Sequence, residues 1–494
     1  MIDLFSDYDR KKVAAFIRNE KGRLDYNAQI QAILDGAIQG LLEQRMKEDL
    51  GTKSYMSAST RKSPINVFRK IVDKLTKIYD QPVIRTVENG TDQDLELVQW
   101  YEQKLNLNRK MGKNNFKYNA FYYALVQIGL KDNPVASTQD YRIRQPFVRT
   151  VPNHEFLVMN ASRVDNSSPD VIILCMDKRT LANGTEQQVY YVYTDLQFVI
   201  MDQNGDIIGD LMADNELDGI NPYQVTPFAY TNDSDDNAMP AVQTDTLDLA
   251  LLIPLLLTDL NYAVKFQAFS VFVAINLDDK KVEFSPNSII SFQTPPGEGD
   301  NKASFDVIKP TVEITDTLSL ASSQMALWLS TKGIRPGQIA QIGTDQLASG
   351  ISKMIDESDT FESIKKQIKA YEQTEAEFWD KLMHHIHPAW VAAGVVENKT
   401  IFSSTARVVT KFTEPVPMQT RGEKVKELTD EVDSGFISRK RAIKILNTGL
   451  TDEEIDELIQ EIDDEKPVIV ESNQGVNDNG QQGNPAETQN PSGL

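Results

Sequence analysis

Cysteine is almost absent, with Cys175 alone in 494 residues. No disulfide can form within the chain, and a cytosolic compartment is the simplest setting for it. Histidine is scarce too: there are four, so any triad or metal set has to draw on one of them. Long apolar runs are missing. The most apolar stretch, Leu249–Leu257, ends at Thr258-Asp259. That is short of the roughly 20 apolar residues a spanning helix needs, so a soluble protein without membrane contact is expected. The N-terminus carries Asp3, Asp7 and Asp9 and no signal-peptide run. Positive charge is in deficit, 51 Lys and Arg against 72 Asp and Glu, for a formal charge of -21. Free nucleic acid or an anionic membrane would be repelled, although a protein that surrounds DNA without gripping it is not excluded.

Hydrophobic content of 40% and charged content of 25% fit ordinary folded domains. Ile30, Ile33, Leu34, Ala37, Ile38 and Leu41 recur at helical spacing, as do Val67, Ile71, Leu75 and Ile78. The basic residues Arg61, Lys62, Arg69, Lys70, Lys74 and Lys77 read as solvated helix faces. Further helices are expected over Leu95–Leu105 and Phe116–Ile128. From about Val135 to Tyr230 the pattern becomes strand-like, with Val171–Leu174 and Val189–Tyr193, then a hairpin around Asn204-Gly205. Asp202, Asn204 and Asp206 superficially fit a calcium loop. The sixth position is Ile207 and the twelfth Ala213, so the segment reads as a turn.

A long helical stretch follows from Pro240 to about Phe272, with Pro254 as a kink or a junction between two helices. A strand-rich insert comes next, with Val282, Phe284, Ile289, Ile290 and Phe292, then Pro295–Gly299, then Phe305, Val307 and Ile308. A second helix spans Asp316 to Lys332-Gly333. Arg335–Ser349, rich in Gly and Gln, reads as an exposed loop. A long helix from Ser352 to His387 stops at Pro388, and strands lie near Ile401–Phe412. Three short helices close the folded part: Arg421–Asp433, Arg439–Leu446 capped by Ser438, and one capped by Thr451 with Glu454. The Asn-, Gln- and Gly-rich end is expected to be disordered.

No Gly-rich phosphate loop, Gly-x-Ser-x-Gly elbow or His-Glu-x-x-His pattern occurs. Cys175 ends an apolar strand and reads as a buried, inert thiol. His384, His385 and His387 are spaced so that only His384 and His387 share a helix face, too few ligands for a metal centre. The pairs Asp356-Glu357, Glu453-Glu454 and Asp463-Asp464 sit on expected helices with no sign of a cleft around them. These residues point to a non-catalytic chain without cofactor or metal.

The order of parts then becomes informative. Asn66-Val67 with Ile71-Val72-Asp73, Tyr79 and Pro82 lies early in the chain. Asn221-Pro222 with Pro227-Phe228 precedes the first long helix, and Leu255–Asn261 lies inside it. Phe412–Pro417, Asp433-Ser434-Gly435-Phe436-Ile437-Ser438 and Thr451–Leu458 with Glu461 follow near the end. In that order the chain resembles the portal, or head-to-tail connector, proteins of tailed and particularly long-tailed bacteriophages. The resemblance implies an α+β portal fold and a ring-forming subunit. It divides the chain into an N-terminal helical arm (1–45), a wing (46–241), a first stem helix (242–272), a clip (273–313) and a second stem helix (314–333). A tunnel loop (334–349), a long wing helix with strands (350–420), a helical crown (421–465) and a tail (466–494) follow.

It further implies a ring of about twelve copies at one capsid vertex. Double-stranded DNA would pass through it without sequence specificity, pushed inward by the terminase. The ring would also meet the major capsid protein and the neck or head-completion proteins, first in the host cytoplasm and then in the virion. The tunnel loop would offer Arg335, Gln338, Gln341, Thr344 and Gln346 to the DNA. The rival readings are a phage neck or baseplate subunit, a cytosolic scaffold, and a soluble metallohydrolase using His384 and His387.

Overall fold

The computed structural model describes residues 2–58, 62–81, 83–131, 143–160, 169–181, 183–212, 218–232, 239–242, 245–268, 271–275, 289–292, 304–308, 314–331, 350–413, 421–447 and 452–464. The chain forms two units, Met1–Pro417 and Met418–Leu494, and its mixture of helix and strand is of the α+β kind.

The first unit opens with α1 (Asp7–Asn19), α2 (Lys21–Leu34), α3 (Ile38–Ala58) and α4 (Val67–Leu75). The helical spacing from Ile30 to Leu41 is divided between α2 and α3, because Gly36 adopts φ +94° and turns the chain there. Such a left-handed conformation is natural only to glycine. Ile30, Ile33, Leu34 and Ile38 join Val67, Phe68, Ile71, Val72 and Leu75 in the main core. At about 1.5–3 kcal/mol for each fully buried large apolar side chain, such stripes are what hold the helices down.

A strand the sequence did not announce, β1 (Ile84–Glu88), precedes α5 (Asp92–Leu105) and α6 (Leu107–Phe121). The helix expected over Phe116–Ile128 ends at Phe121: Tyr122 turns left-handed at φ 66°, and β2 (Tyr123–Lys131) begins. Tertiary pairing overrides local pattern here, since β2 is the middle strand between β3 (Gln145–Val151) and β10 (Phe228–Asn232). Both faces of this antiparallel sheet are covered. Leu125, Val151, Phe228 and Tyr230 enter the main core, while Val126, Ile128, Val148 and Ala229 enter a second core with α5 and α6.

Between them lie β4 (Phe156–Met159), β5 (Val171–Cys175), the short pair β6 (Arg179–Thr180) and β7 (Glu186–Gln187), β8 (Val189–Tyr193) and β9 (Phe198–Asp202). Strands β4, β5, β8 and β9 make an antiparallel sheet, and Ile2, Leu4, Val13, Ala14 and Ile17 cover one face of it. The Asn204-Gly205 turn forms as expected. Asp202 Oδ1 accepts the N–H groups of Asn204 and Asp206 at 2.7 and 3.1 Å, and Met201 bridges Ile207. The Gly205 carbonyl in turn accepts Arg10 Nε at 2.9 Å.

Helix α7 (Asp245–Ala268) follows, then the strands β11 (Val271–Ile275), β12 (Ile289–Phe292) and β13 (Ser304–Ile308), then α8 (Ile314–Thr331). Helix α9 (Gly350–Lys381) passes through a π-turn at Leu382–Ile386 into α10 (His387–Ala392). Pro388 therefore does not stop the helix. The wide turn lets His387 N–H reach Leu382 O, and Pro388 falls in the first turn of α10, where an N–H is not required. Strand β14 (Arg407–Lys411) pairs antiparallel with β1.

The second unit holds α11 (Arg421–Asp433), α12 (Arg439–Leu446) and α13 (Asp452–Asp464), at the positions expected from sequence. Ser438 Oγ caps α12 by accepting Arg441 N–H at 3.2 Å. Its buried apolar residues, Leu428, Ala442 and Ile455, are few among the described ones, while Phe436 is 84% exposed. The Thr451 cap and the expected disordered tail lie outside the described residues.

Candidate functional site: an apolar helix pair around a small sheet

Helix α7 is the most apolar of the described helices by sequence, and its first turn is secured from another helix. Tyr26 Oη on α2 accepts the Leu247 N–H at 3.0 Å, and Arg23 donates to the Pro240 carbonyl at 2.6 Å. Pro254 sits inside α7 without ending it. Thr258 Oγ1 donates to the Pro254 carbonyl at 2.7 Å and accepts the Ser63 N–H at 3.1 Å, which ties the proline turn to the segment after α3. The helix stops at Ala268 rather than near Phe272, because Val271–Ile275 pairs as the central strand of the next sheet.

That sheet has the order β12-β11-β13, with β12 parallel and β13 antiparallel to β11. Val282, Phe284 and Pro295–Gly299, which were expected to belong to the insert, lie outside the described residues. Helix α8 then returns to pack on α7. Ala321, Trp328 and Leu329 are buried, and Trp328 stacks on Phe68 of α4 at 5.9 Å. On its other side Leu320 and Leu327, seven residues apart, are 50% and 69% exposed. Residues 245–264 of α7 are long and apolar enough to cross a membrane by length and composition, and only 33% of that stretch is buried within the chain. The apolar run Leu249–Leu257 lies within this stretch, bounded by Asp248 and by Thr258-Asp259. Arg335, Gln338, Gln341, Thr344 and Gln346 all lie outside the described residues.

The histidines at the α9–α10 junction are engaged one by one. His387 is fully buried. Its Nε2 faces the Thr400 carbonyl at 2.7 Å, so it carries the proton, and its Nδ1 accepts from Tyr101 Oη at 2.6 Å. Burial holds His387 below the usual imidazole range, with the Thr400 bond working against that shift. His384 Nε2 meets a different carbonyl, Ala406 O, at 3.0 Å. It lines a cavity of about 450 Å³ with Glu377, Asp380 and Arg407. Among the described residues, no three His, Cys, Asp or Glu side chains are placed to hold a metal ion. The Cys175 thiol is pushed up to about 12 by burial and then by Glu155, which keeps it protonated and unreactive at neutral pH.

No family model matches the sequence, and no curated protein matches it.

Sequence reasoning missed the polar groups that fix α9 in place. Arg85 and Glu375 are both fully buried, and Glu375 accepts two guanidinium N–H groups at 2.6 and 2.9 Å. The same carboxylate accepts Tyr79 Oη at 2.9 Å and Trp379 Nε1 at 3.2 Å. Arg85 also donates to Glu102 at 2.5 Å and to Asn108 at 2.7 Å. Burial opposes the charge on Arg85, but Glu375 more than offsets it, and the guanidinium stays protonated. A second tie joins Asp94 to the loop before β14, with Ser403 N–H and Oγ donating at 2.8 and 2.6 Å. Helix α9 is thus anchored by charge as well as by packing.

Proposed function

We propose that the chain is a portal-type subunit that closes into a ring around double-stranded DNA. The observation that carries this reading is the excursion α7, three-stranded sheet, α8. Two helices pack on each other, a small sheet lies between them in the chain, and Val264 on α7 and Leu320 and Leu327 on α8 are left 40%, 50% and 69% exposed. Apolar residues exposed on one helix pair are the kind of surface a neighbouring copy would cover. A ring supplies one to every copy through a contact that returns on itself.

On this reading α7 and α8 are the stem walls and the sheet is the clip that meets terminase and later the neck proteins. Residues 334–349 line the tunnel, and 421–465 form the crown. A net charge of -21 suits a conduit that must let DNA slide. The ring would sit at one capsid vertex, in contact with the major capsid protein. Negative-stain imaging and sedimentation of purified protein test the proposal. Rings with a central hole, near twelve times the 55.6 kDa chain mass, are expected. A strictly monomeric species at high concentration that is absent from virions would refute it. Deleting 338–346 is expected to leave capsids intact and impair DNA packaging; normal packaging removes the tunnel assignment.

A second reading rests on α7 alone, since its composition would suit a membrane. Asp248 and Asp259 are costly within a bilayer, and α7 packs on α3, α4 and α8. Co-flotation of the protein with anionic or neutral vesicles would favour it.

A further inference from the structure

Three Asn-Gly pairs lie among the described residues: Asn89-Gly90, Asn183-Gly184 and Asn204-Gly205. Each is a place where the chain can react with itself. The backbone nitrogen that follows an asparagine can attack the side-chain amide carbon, and a glycine there, having no Cβ, leaves its nitrogen open to do so. As dipeptides the three are equivalent. Their hydrogen bonds set them apart.

At Asn204 the reacting groups are engaged. The Gly205 N–H donates to the Asp202 carbonyl at 3.2 Å, Asn204 Nδ2 donates to Asp202 Oδ2 at 3.2 Å, and Gly205 is itself buried. At Asn183 the Gly184 N–H donates to the Leu181 carbonyl at 2.9 Å, and Asn183 Oδ1 accepts the Thr185 N–H at 3.0 Å. Asn89-Gly90 differs on each count. Both residues are exposed, and among the described residues neither the Gly90 N–H nor the Asn89 side chain has a hydrogen-bond partner. Asn89 is held through its main-chain carbonyl alone, which accepts Thr405 Oγ1 at 3.0 Å. Its backbone is left-handed at φ 54°, a conformation asparagine tolerates better than most residues.

We infer that, of these three pairs, Asn89-Gly90 is the one at which the folded chain deamidates spontaneously. The Gly90 nitrogen gives its proton to a solvent base and bonds to Asn89 Cγ. The bond from Cγ to the side-chain nitrogen breaks, and that nitrogen leaves as ammonia with a proton from water. Water then opens the resulting cyclic imide at either carbonyl, giving aspartate or isoaspartate. In the isoaspartate form the backbone runs through the former side chain and is one atom longer. The extra atom falls between two fixed points. On one side is the Glu88–Arg407 pair that ends the β1–β14 ladder. On the other is the capping box of α5, where Thr91 N–H donates to Asp94 Oδ2 at 2.7 Å and Thr91 Oγ1 accepts the Asp94 N–H at 3.3 Å. Isoaspartate therefore loosens the start of α5.

Ageing the full-length protein in warm, mildly alkaline buffer, with and without urea, tests this by mass spectrometry of its peptides. In the folded chain, conversion at Asn89 is expected to outpace that at Asn183 and Asn204 about five-fold or more, the factor set by one hydrogen bond that has to open first. In urea the three rates should come together, because the folded hydrogen bonds are gone. Conversion at Asn183 or Asn204 as fast as at Asn89 in the folded chain overturns the inference. So does the same ranking in urea, which would place the cause in the local sequence. Asn89→Gly keeps the left-handed turn and removes the amide. On ageing, its first turn of α5 should retain hydrogen-exchange protection while the wild type loses it in proportion to the isoaspartate formed. Equal loss in both proteins, or none in wild type that carries isoaspartate, refutes the effect on α5.

Discussion

Cutting the buried Arg85–Glu375 pair puts a number on what holds α9 in place. Glu375→Ala leaves the Arg85 guanidinium, fully buried, with Glu102 and Asn108 as its remaining partners, and deprives Tyr79 and Trp379 of their acceptor. Removing one member of a buried pair costs about 3–5 kcal/mol, because the other charge stays behind without compensation. Glu102 survives the substitution and its side chain is 29% exposed, so the lower end of about 3 kcal/mol is expected. The double variant Arg85→Met with Glu375→Leu takes both charges out together and should recover most of that loss. Urea unfolding followed by tryptophan fluorescence reports the change directly, since Trp379 touches the site. Hydrogen exchange of α9 assigns it to the right helix. A midpoint lowered by up to about 1 M is expected for the single variant. A Glu375→Ala protein within about 1 kcal/mol of wild type, or a double variant as damaged as the two singles added, would refute the argument.

Three other outcomes follow from the same structure. Burial alone would raise the Asp94 carboxyl, but hydrogen bonds from Ser403 and Thr91 bring it down from 3.8 to about 2. Its contribution of about 2 kcal/mol is therefore full above pH 4 and lost as pH falls towards 2, and Asp94→Asn should flatten acid unfolding in that window. His387 is held neutral by burial, so its share of stability is present above the ordinary imidazole value of 6.5 and fades as pH falls below it. His387→Gln should be insensitive to pH there, and stoichiometric zinc in the purified wild type would contradict the assignment of both ring nitrogens. At Gly205, with φ +91°, an added Cβ would meet the Arg10 carbonyl at 3.0 Å. Gly205→Ala should cost about 1–2 kcal/mol and release α1 first, which limited proteolysis of the N-terminus would show.

Much of the helical framework was legible in the sequence. Ile364, Ile368, Tyr371, Phe378 and Leu382 repeat at helical spacing and are all buried, and the three C-terminal helices fall where their periodicity places them, α12 with its expected Ser438 cap. The β-hairpin at Asn204-Gly205 was equally readable, because Asp202 and a left-handed glycine supply the turn from within a few residues. Over Tyr123–Ile128 the sequence pattern predicts helix where the structure has strand β2, Tyr123–Lys131. Its apolar residues are nearly continuous, as they must be in a strand covered on both faces, so no alternation distinguished it from a buried helix. Strand β1 was invisible for the opposite reason: Ile84 is 59% exposed while Arg85 points inward, inverting the phase that hydrophobicity would assign.

Alone, then, the sequence determined which segments are apolar along one side, where glycine or a capping side chain turns the chain, and that charge is strongly negative. Such properties depend on neighbours within a few positions. Only the tertiary structure decided that Arg85 meets Glu375 across 290 positions, that Tyr101 and Thr400 occupy both nitrogens of His387, and that α7 receives a partial cover of α3, α4 and α8. A buried charge is tolerable only beside its partner, and which residues become neighbours is settled by how whole elements pack.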